Sequence, residues 1–171
     1  MSLELSESLQ RTVDALTDSF SDPLIEVYQS SGDTFVRIEA DALLDVCRFL
    51  KEKQGYIYLS DIIGTDRYTS DERFEVIYNV VNLKDQVRLF LKVRCEEEQP
   101  ELESVTGIWR SADWKEREVY DMFGVHFTNH PDLRRIFLPE DFQYYPMRKE
   151  FPLLGIPGSI ELPNTTPDTE S

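Results

Sequence analysis

Seven of the nine prolines fall after residue 130. Proline lacks a backbone N–H and fixes φ, so it ends helices and is excluded from central strands. The chain therefore divides into a part that can build regular elements and a part that cannot. Yet Phe137, Phe142, Tyr144, Tyr145 and Phe151 give the second part too much aromatic surface for a solvated linker. Residues 131–152 also balance four basic groups (Arg134, Arg135, Arg148, Lys149) against four acids (Asp132, Glu140, Asp141, Glu150). In a chain of net charge −15, that local neutrality marks an arm suited to lying on another surface. Proline lowers the entropy such an arm loses on docking. From about residue 156 the composition turns polar and Pro/Thr-rich, the pattern of a disordered tail.

Before the prolines, the hydrophobic periodicity predicts an α+β domain. Leu9, Val13, Leu16 and Phe20 share one helical face, so residues from about 6 to 20 read as an amphipathic helix that Pro23 closes. Leu24 to Gln29 and Thr34 to Glu39 read as strands joined by the loop Ser30–Asp33. A second helix follows, capped by Asp41, striped by Leu43, Val46, Cys47 and Leu50, and ended by Gly55. Tyr56 to Ile63 and Phe74 to Val81 are the next strands. Gln86 to Cys95 alternates most cleanly, with Phe90 the exception on its polar side. The acids around Pro100 read as a solvated loop, and Ser111 can cap a short helix that Gly124 stops. The expected fold is a two-layer domain in α-β-β-α-β-β-β order with a mixed sheet, then a short helix and an extended proline-rich arm. The expected division is a domain over 1–124, a docking arm over 125–155 and a disordered tail over 156–171.

Charge and composition exclude several functions. Thirty-three acids against 18 Lys and Arg argue against nucleic acid and against direct docking on anionic lipid. No run approaches the roughly 20 apolar residues a membrane helix needs. The acidic N-terminus does not read as a secretion signal. Cys47 and Cys95 are too few and too far apart to hold an iron–sulfur cluster, and they read as buried thiols of a reduced cytoplasmic protein.

The chemistry concentrates in the run Glu116–Gly124 and in His130-Pro131-Asp132-Leu133-Arg134-Arg135-Ile136, where charges stand among aromatics. Isolated charges are costly there, so partners are expected. Helical geometry places Glu116 with Ala112, Val119 and Phe123, and Arg134 or Arg135 can swing back to pair with it. The alternative is that Glu116 reaches solvent at the helix edge. Glu118 and Asp121 are read on the other side, facing water or an arginine. His126 and His130 with Glu116, Asp121 and Asp132 can be imagined as a metal site, but Gly124 and Pro131 interrupt the helix that would align them. Neither a phosphate-binding glycine loop nor a nucleophile elbow accompanies them.

This stretch resembles the signature of the 30 kDa, or C-type, subunit family of respiratory complex I, the proton-pumping NADH:quinone oxidoreductase. The likeness extends from about residue 20 to 153. The resemblance implies a peripheral-arm component that binds no cofactor itself, with FMN, iron–sulfur clusters and quinone in partner subunits. It implies packing against the D-type subunit, with subunits B and I nearby. It also implies a place on the cytoplasmic face of the bacterial inner membrane, with only indirect membrane contact. By that resemblance Glu116, Arg117, Glu118, Asp121, His130, Arg134, Arg135 and Arg148 carry interface or local ion-pair roles, with no catalytic residue among them. The assembled complex is the enzyme. Phe142 and Tyr144 stand where the family often has Trp and Gly, and Tyr144 is awkward if that turn needs positive φ. Rival readings are the equivalent component of an energy-converting nickel–iron hydrogenase, formate hydrogenlyase or ferredoxin-driven complex, a stand-alone metal-dependent hydrolase, and a free adaptor.

Overall fold

The alternating run that ends at Cys95 forms the middle of a five-stranded mixed sheet. A computed structural model describes residues 5–20, 24–68 and 71–152. The elements are α1 (Glu7–Ser19), β1 (Leu24–Ser30), β2 (Asp33–Ile38), α2 (Leu43–Lys53), β3 (Tyr58–Asp66), β4 (Phe74–Asn82), β5 (Val87–Cys95), β6 (Glu101–Glu103), α3 (Ala112–Phe123) and β7 (His126–Thr128). Sheet order is β1-β2-β5-β4-β3, parallel between β2 and β5 and antiparallel elsewhere. The predicted α+β architecture and its mixed sheet are therefore present. Pro23 and the tail from residue 156 lie outside the described residues.

One sheet face carries the core. Val36 and Ile38 of β2, Leu89, Leu91 and Val93 of β5, and Val76, Tyr78 and Val80 of β4 are almost wholly buried. They pack with Leu16 of α1 and Leu43, Val46, Cys47 and Leu50 of α2 in one cluster. Burying each large aliphatic side chain contributes about 1.5–3 kcal/mol. Burial pushes the Cys47 thiol well above its ordinary range and Cys95 up to about 12, so both stay protonated and inert.

The opposite face explains Phe90. Tyr28, Phe35 and Phe90 stack across β1, β2 and β5 at centroid spacings of 5.2 and 5.0 Å, and Lys92 lies over the first two rings. Glu75 sits between Lys92 (2.9 Å) and Arg94 (3.0 Å). An aromatic residue fits that face because it stacks on its cross-strand neighbour.

Three local expectations need correction. Asp41 does not cap α2; it sits in a 3-10 turn, and the residue before the helix is Ala42. Ser111 makes no cap bond, because its hydroxyl donates instead to the Leu59 carbonyl. The acidic loop is not wholly solvated. Glu101–Glu103 forms β6, pairs in parallel with β7 and buries Leu102. Parallel pairing to a strand beyond α3 is non-local and leaves no short-range mark.

Candidate functional site

Helix α3 presents charged groups inward, and the fold answers each differently. The helix ends at Gly124, whose φ of +75° turns the chain and whose N–H returns to the Tyr120 carbonyl. A Cβ at Gly124 would lie 2.5 Å from the Tyr145 ring, so both backbone conformation and close packing require glycine.

Glu116 is fully buried. Its carboxylate accepts the Ser104 hydroxyl and the Val105 N–H, each at 2.7 Å. Its partner is neither Arg134 nor Arg135, contrary to the expected pairing. Burial pushes its pKa up to about 7, against the pull of those two donors, and nearby Asp113 adds to the rise. The His130 side chain is also fully buried, 3.8 Å from Glu116. Its Nδ1 accepts the Asp132 N–H, which puts the ring proton on Nε2, 3.2 Å from the Asp113 carbonyl.

Asp121 is as buried as Glu116 but better supplied. One oxygen accepts Arg135 at 2.9 Å; the other accepts the N–H groups of Ile136, Phe137 and Leu138 at 3.0, 2.7 and 3.1 Å. Burial raises its pKa, but the donors from Phe137, Ile136, Leu138 and Arg135 outweigh that and hold it below the ordinary value. Asp121 thus does not share a wet face with Glu118, which is exposed. The two are separated because the chain after residue 131 folds over one side of the helix only.

The basic signature residues engage mostly carbonyls and rings. Arg117 stacks on Trp114 at 4.8 Å and donates to the Arg134 and Arg135 carbonyls. Arg135 also donates to the Tyr144 carbonyl and lies over the Tyr145 ring. Arg148 donates to the Phe123 carbonyl at 2.7 Å and sits between the Tyr145 and Phe74 rings. Arg134 forms a bidentate pair with Asp132 at the surface. Tyr144 does not adopt positive φ, so replacing a glycine there costs no backbone strain. Residues 131–152 contain turns but no helix or strand, and they return onto α3, with the Met147 N–H donating to the Met122 carbonyl.

A second charged node was not legible in the sequence. Arg73 forms a buried bidentate pair with Asp66 at 2.9 and 2.7 Å and also reaches Glu97 and Glu150. The Lys149 N–H donates to Asp66. The Arg73 hydrogen bond, aided by the Lys149 and Tyr68 N–H groups, holds Asp66 down at about 2. Asp66 and Arg73 flank the β3–β4 connection, which was the one available hint. Ser104 was likewise missed as the donor to Glu116.

The two histidines do not converge. His126 is exposed and lies 3.3 Å from Glu101, whereas His130 points inward. Among the described residues no cluster of three or more His, Cys, Asp or Glu is arranged to hold a metal ion, and no helix is long and apolar enough to cross a membrane. Asp121 has its oxygens occupied by fixed donors. Such a group organises structure and is poorly placed for proton transfer.

Residues 36–156 match the family described as respiratory-chain NADH dehydrogenase, 30 kDa subunit. The C 2 subunit of the NADH-quinone oxidoreductase of Rhizobium etli is 39% identical over 155 residues, spanning 90% of this chain and 81% of the relative. The C-type subunit of the NADH-quinone oxidoreductase of Geotalea uraniireducens is 37% identical, spanning 85% and 88%. Among solved structures, the trypsin-resistant fragment (1–134) of Nqo5 superposes with a TM-score of 0.65 at 33% identity, covering 74% of this chain and 99% of the fragment. A chain of an archaeal respiratory membrane complex, the membrane-bound sulfane sulfur reductase, shares the fold with a TM-score of 0.74 at 24% identity, covering 86% and 88%.

Proposed function

The chain belongs to the 30 kDa subunit family of the respiratory-chain NADH dehydrogenase, and from that premise we propose that it acts by position within an NADH-quinone oxidoreductase. Its part is to brace the quinone-reducing module in the peripheral arm, against the D-type subunit and near subunits B and I, on the cytoplasmic face. FMN, iron–sulfur clusters and quinone belong to partner subunits, and this chain performs no chemical step itself. Electron transfer tolerates little displacement of its sites, so a rigid brace contributes through geometry.

One observation carries this reading. Arg117 and Asp121 of α3 hold residues 134–138 in place, and the segment over 131–152 leaves Phe137, Tyr144 and Met147 63%, 47% and 56% exposed. Large apolar side chains held outward on a fixed backbone are suited to a protein partner. The contacts of Arg117, Asp121, His130, Arg135 and Arg148 around that segment, and of Glu116 with Ser104 and Val105, support proposed roles for all six as internal organisers, with Glu118 and Arg134 facing outward.

The test is affinity purification of the tagged full chain from detergent-solubilised membranes, with mass spectrometry and an assay of NADH-driven quinone reduction. The expected eluate contains NADH-quinone oxidoreductase subunits and inhibitor-sensitive activity. Elution alone, or with a hydrogenase or sulfur reductase, overturns the proposal.

A further inference from the structure

Strand β3 ends the sheet, with β4 on one side and no strand on the other among the described residues. Helix α3 packs against it so closely that a Cβ at Gly64 would lie 2.6 Å from the Phe123 ring. Beside that contact runs a groove of about 380 Å³, near the small end of the roughly 300–1,000 Å³ that seats a ligand-sized group. Its walls are apolar: Ile63 from the strand, Val119, Met122 and Phe123 from the helix, and Met147 from the returning arm. Ile63 and Met147 are 40% and 56% exposed although they face this hollow.

The charges on the rim are unequal. Two carboxylates line the groove, Asp61 and Glu118. Lys115 neutralises Asp61 at 3.1 Å. Glu118 has neither a hydrogen-bond nor an ion-pair partner among the described residues. Its signature neighbours contrast with it, since Glu116, Arg117, Asp121, Arg134, Arg135 and Arg148 all have partners. An unpaired carboxylate beside apolar walls calls for a cation, and burying it without one would be costly.

We infer that this groove receives an extended segment of a partner polypeptide, which inserts a large apolar side chain between Ile63, Met122 and Met147 and sets an Arg or Lys against Glu118. Three features select that occupant. The groove follows four consecutive residues of β3, Asp61–Gly64, a course that suits an extended backbone, the thioethers of Met122 and Met147 adapt to a side chain of imperfect fit, and the free carboxylate fixes the sign of the adjoining charge. The inference rests on the reading of the chain as a docked subunit, and it adds the chemistry of what docks.

The experiment uses the tagged full chain carrying Glu118→Cys. Cys47 and Cys95 are buried, so the new thiol is the reactive one in the folded protein. Maleimide labelling is compared between the free chain and the chain within the purified complex, and a benzophenone maleimide at the same position identifies the neighbour. Expected are labelling at least tenfold slower in the complex and a cross-link to another polypeptide at a segment containing an apolar residue next to Arg or Lys. In parallel, Glu118→Arg should cut recovered complex about tenfold, and Glu118→Gln only a few-fold, with unchanged thermal melts of the isolated chains. Equal labelling in both states, a cross-link to a second copy of this chain, or a cross-linked segment without a basic residue overturns the inference and leaves the proposed function standing. Failure of the unsubstituted chain to bring down any complex defeats both.

Discussion

Glu116 and Asp121 stand little more than one turn apart on the same helix, and both are fully buried. Their carboxyl groups nevertheless move in opposite directions. Glu116 faces the 104–106 loop and receives two donors, and desolvation wins. Asp121 faces the start of the arm and receives three main-chain N–H groups and a guanidinium, and the donors win. Burial alone therefore says little about whether a carboxylate is ionised. The number and charge of the donors that the fold delivers decide it. The two ends of α3 are built differently as a result: the first half is joined to the domain through an acid that tolerates its proton, the second to the arm through one that does not.

The hardest way to break this comparison is to delete the better-supplied acid. Asp121→Ala leaves a largely buried Arg135 and three N–H groups without their acceptor. Removing one partner of a buried pair costs about 3–5 kcal/mol. The expected outcome is a loss of that order in urea unfolding, with protease cleavage newly appearing within residues 131–152. An unchanged cleavage pattern would mean that the arm holds its path without the helix.

The pH dependence sharpens the contrast next. Glu116 binds its proton more tightly when folded than at its ordinary value of 4.5, so its contribution to stability is fullest below about 4.5 and is lost as pH rises through about 7. The span is on the order of 3 kcal/mol, at about 1.4 kcal/mol for each pH unit between the two values. Asp121 behaves oppositely: its contribution is present above 3.8 and is lost as pH falls below that value. Asp66 follows Asp121, losing its contribution as pH falls from 3.8 to about 2. Melts of the native chain should therefore decline from pH 5 to pH 8, and Glu116→Gln should flatten that decline while leaving the acid limb unchanged. A decline that survives the substitution would locate the titrating group elsewhere.

The smallest effect belongs to the adjacent arginines. Arg134 and Asp132 form a bidentate pair on the exposed surface, and such pairs contribute little. Arg134→Ala should leave the urea midpoint within experimental error, whereas Arg135→Ala, which removes the cation paired with Asp121, should lower it clearly. Equal shifts would erase the distinction between the inner and outer arginine.

Much of this protein was determined by local sequence. Alternation over Val87–Cys95, the helical spacing of Leu43, Val46, Cys47 and Leu50, and glycine at the end of α3 each follow from constraints acting within a few residues, and each appears where the pattern places it. The concentration of charges over 116–136 also marked the region of interest from sequence alone. Tertiary structure decided which charges meet. Glu116 finds Ser104, Asp121 finds Arg135 and three main-chain N–H groups, and Arg73 finds Asp66 and Glu150, over separations of up to 77 residues. Parallel pairing of β6 with β7 was decided the same way. Ion pairs and hydrogen bonds act at about 3 Å, and composition records which partners exist but not which of them the folded backbone brings that close.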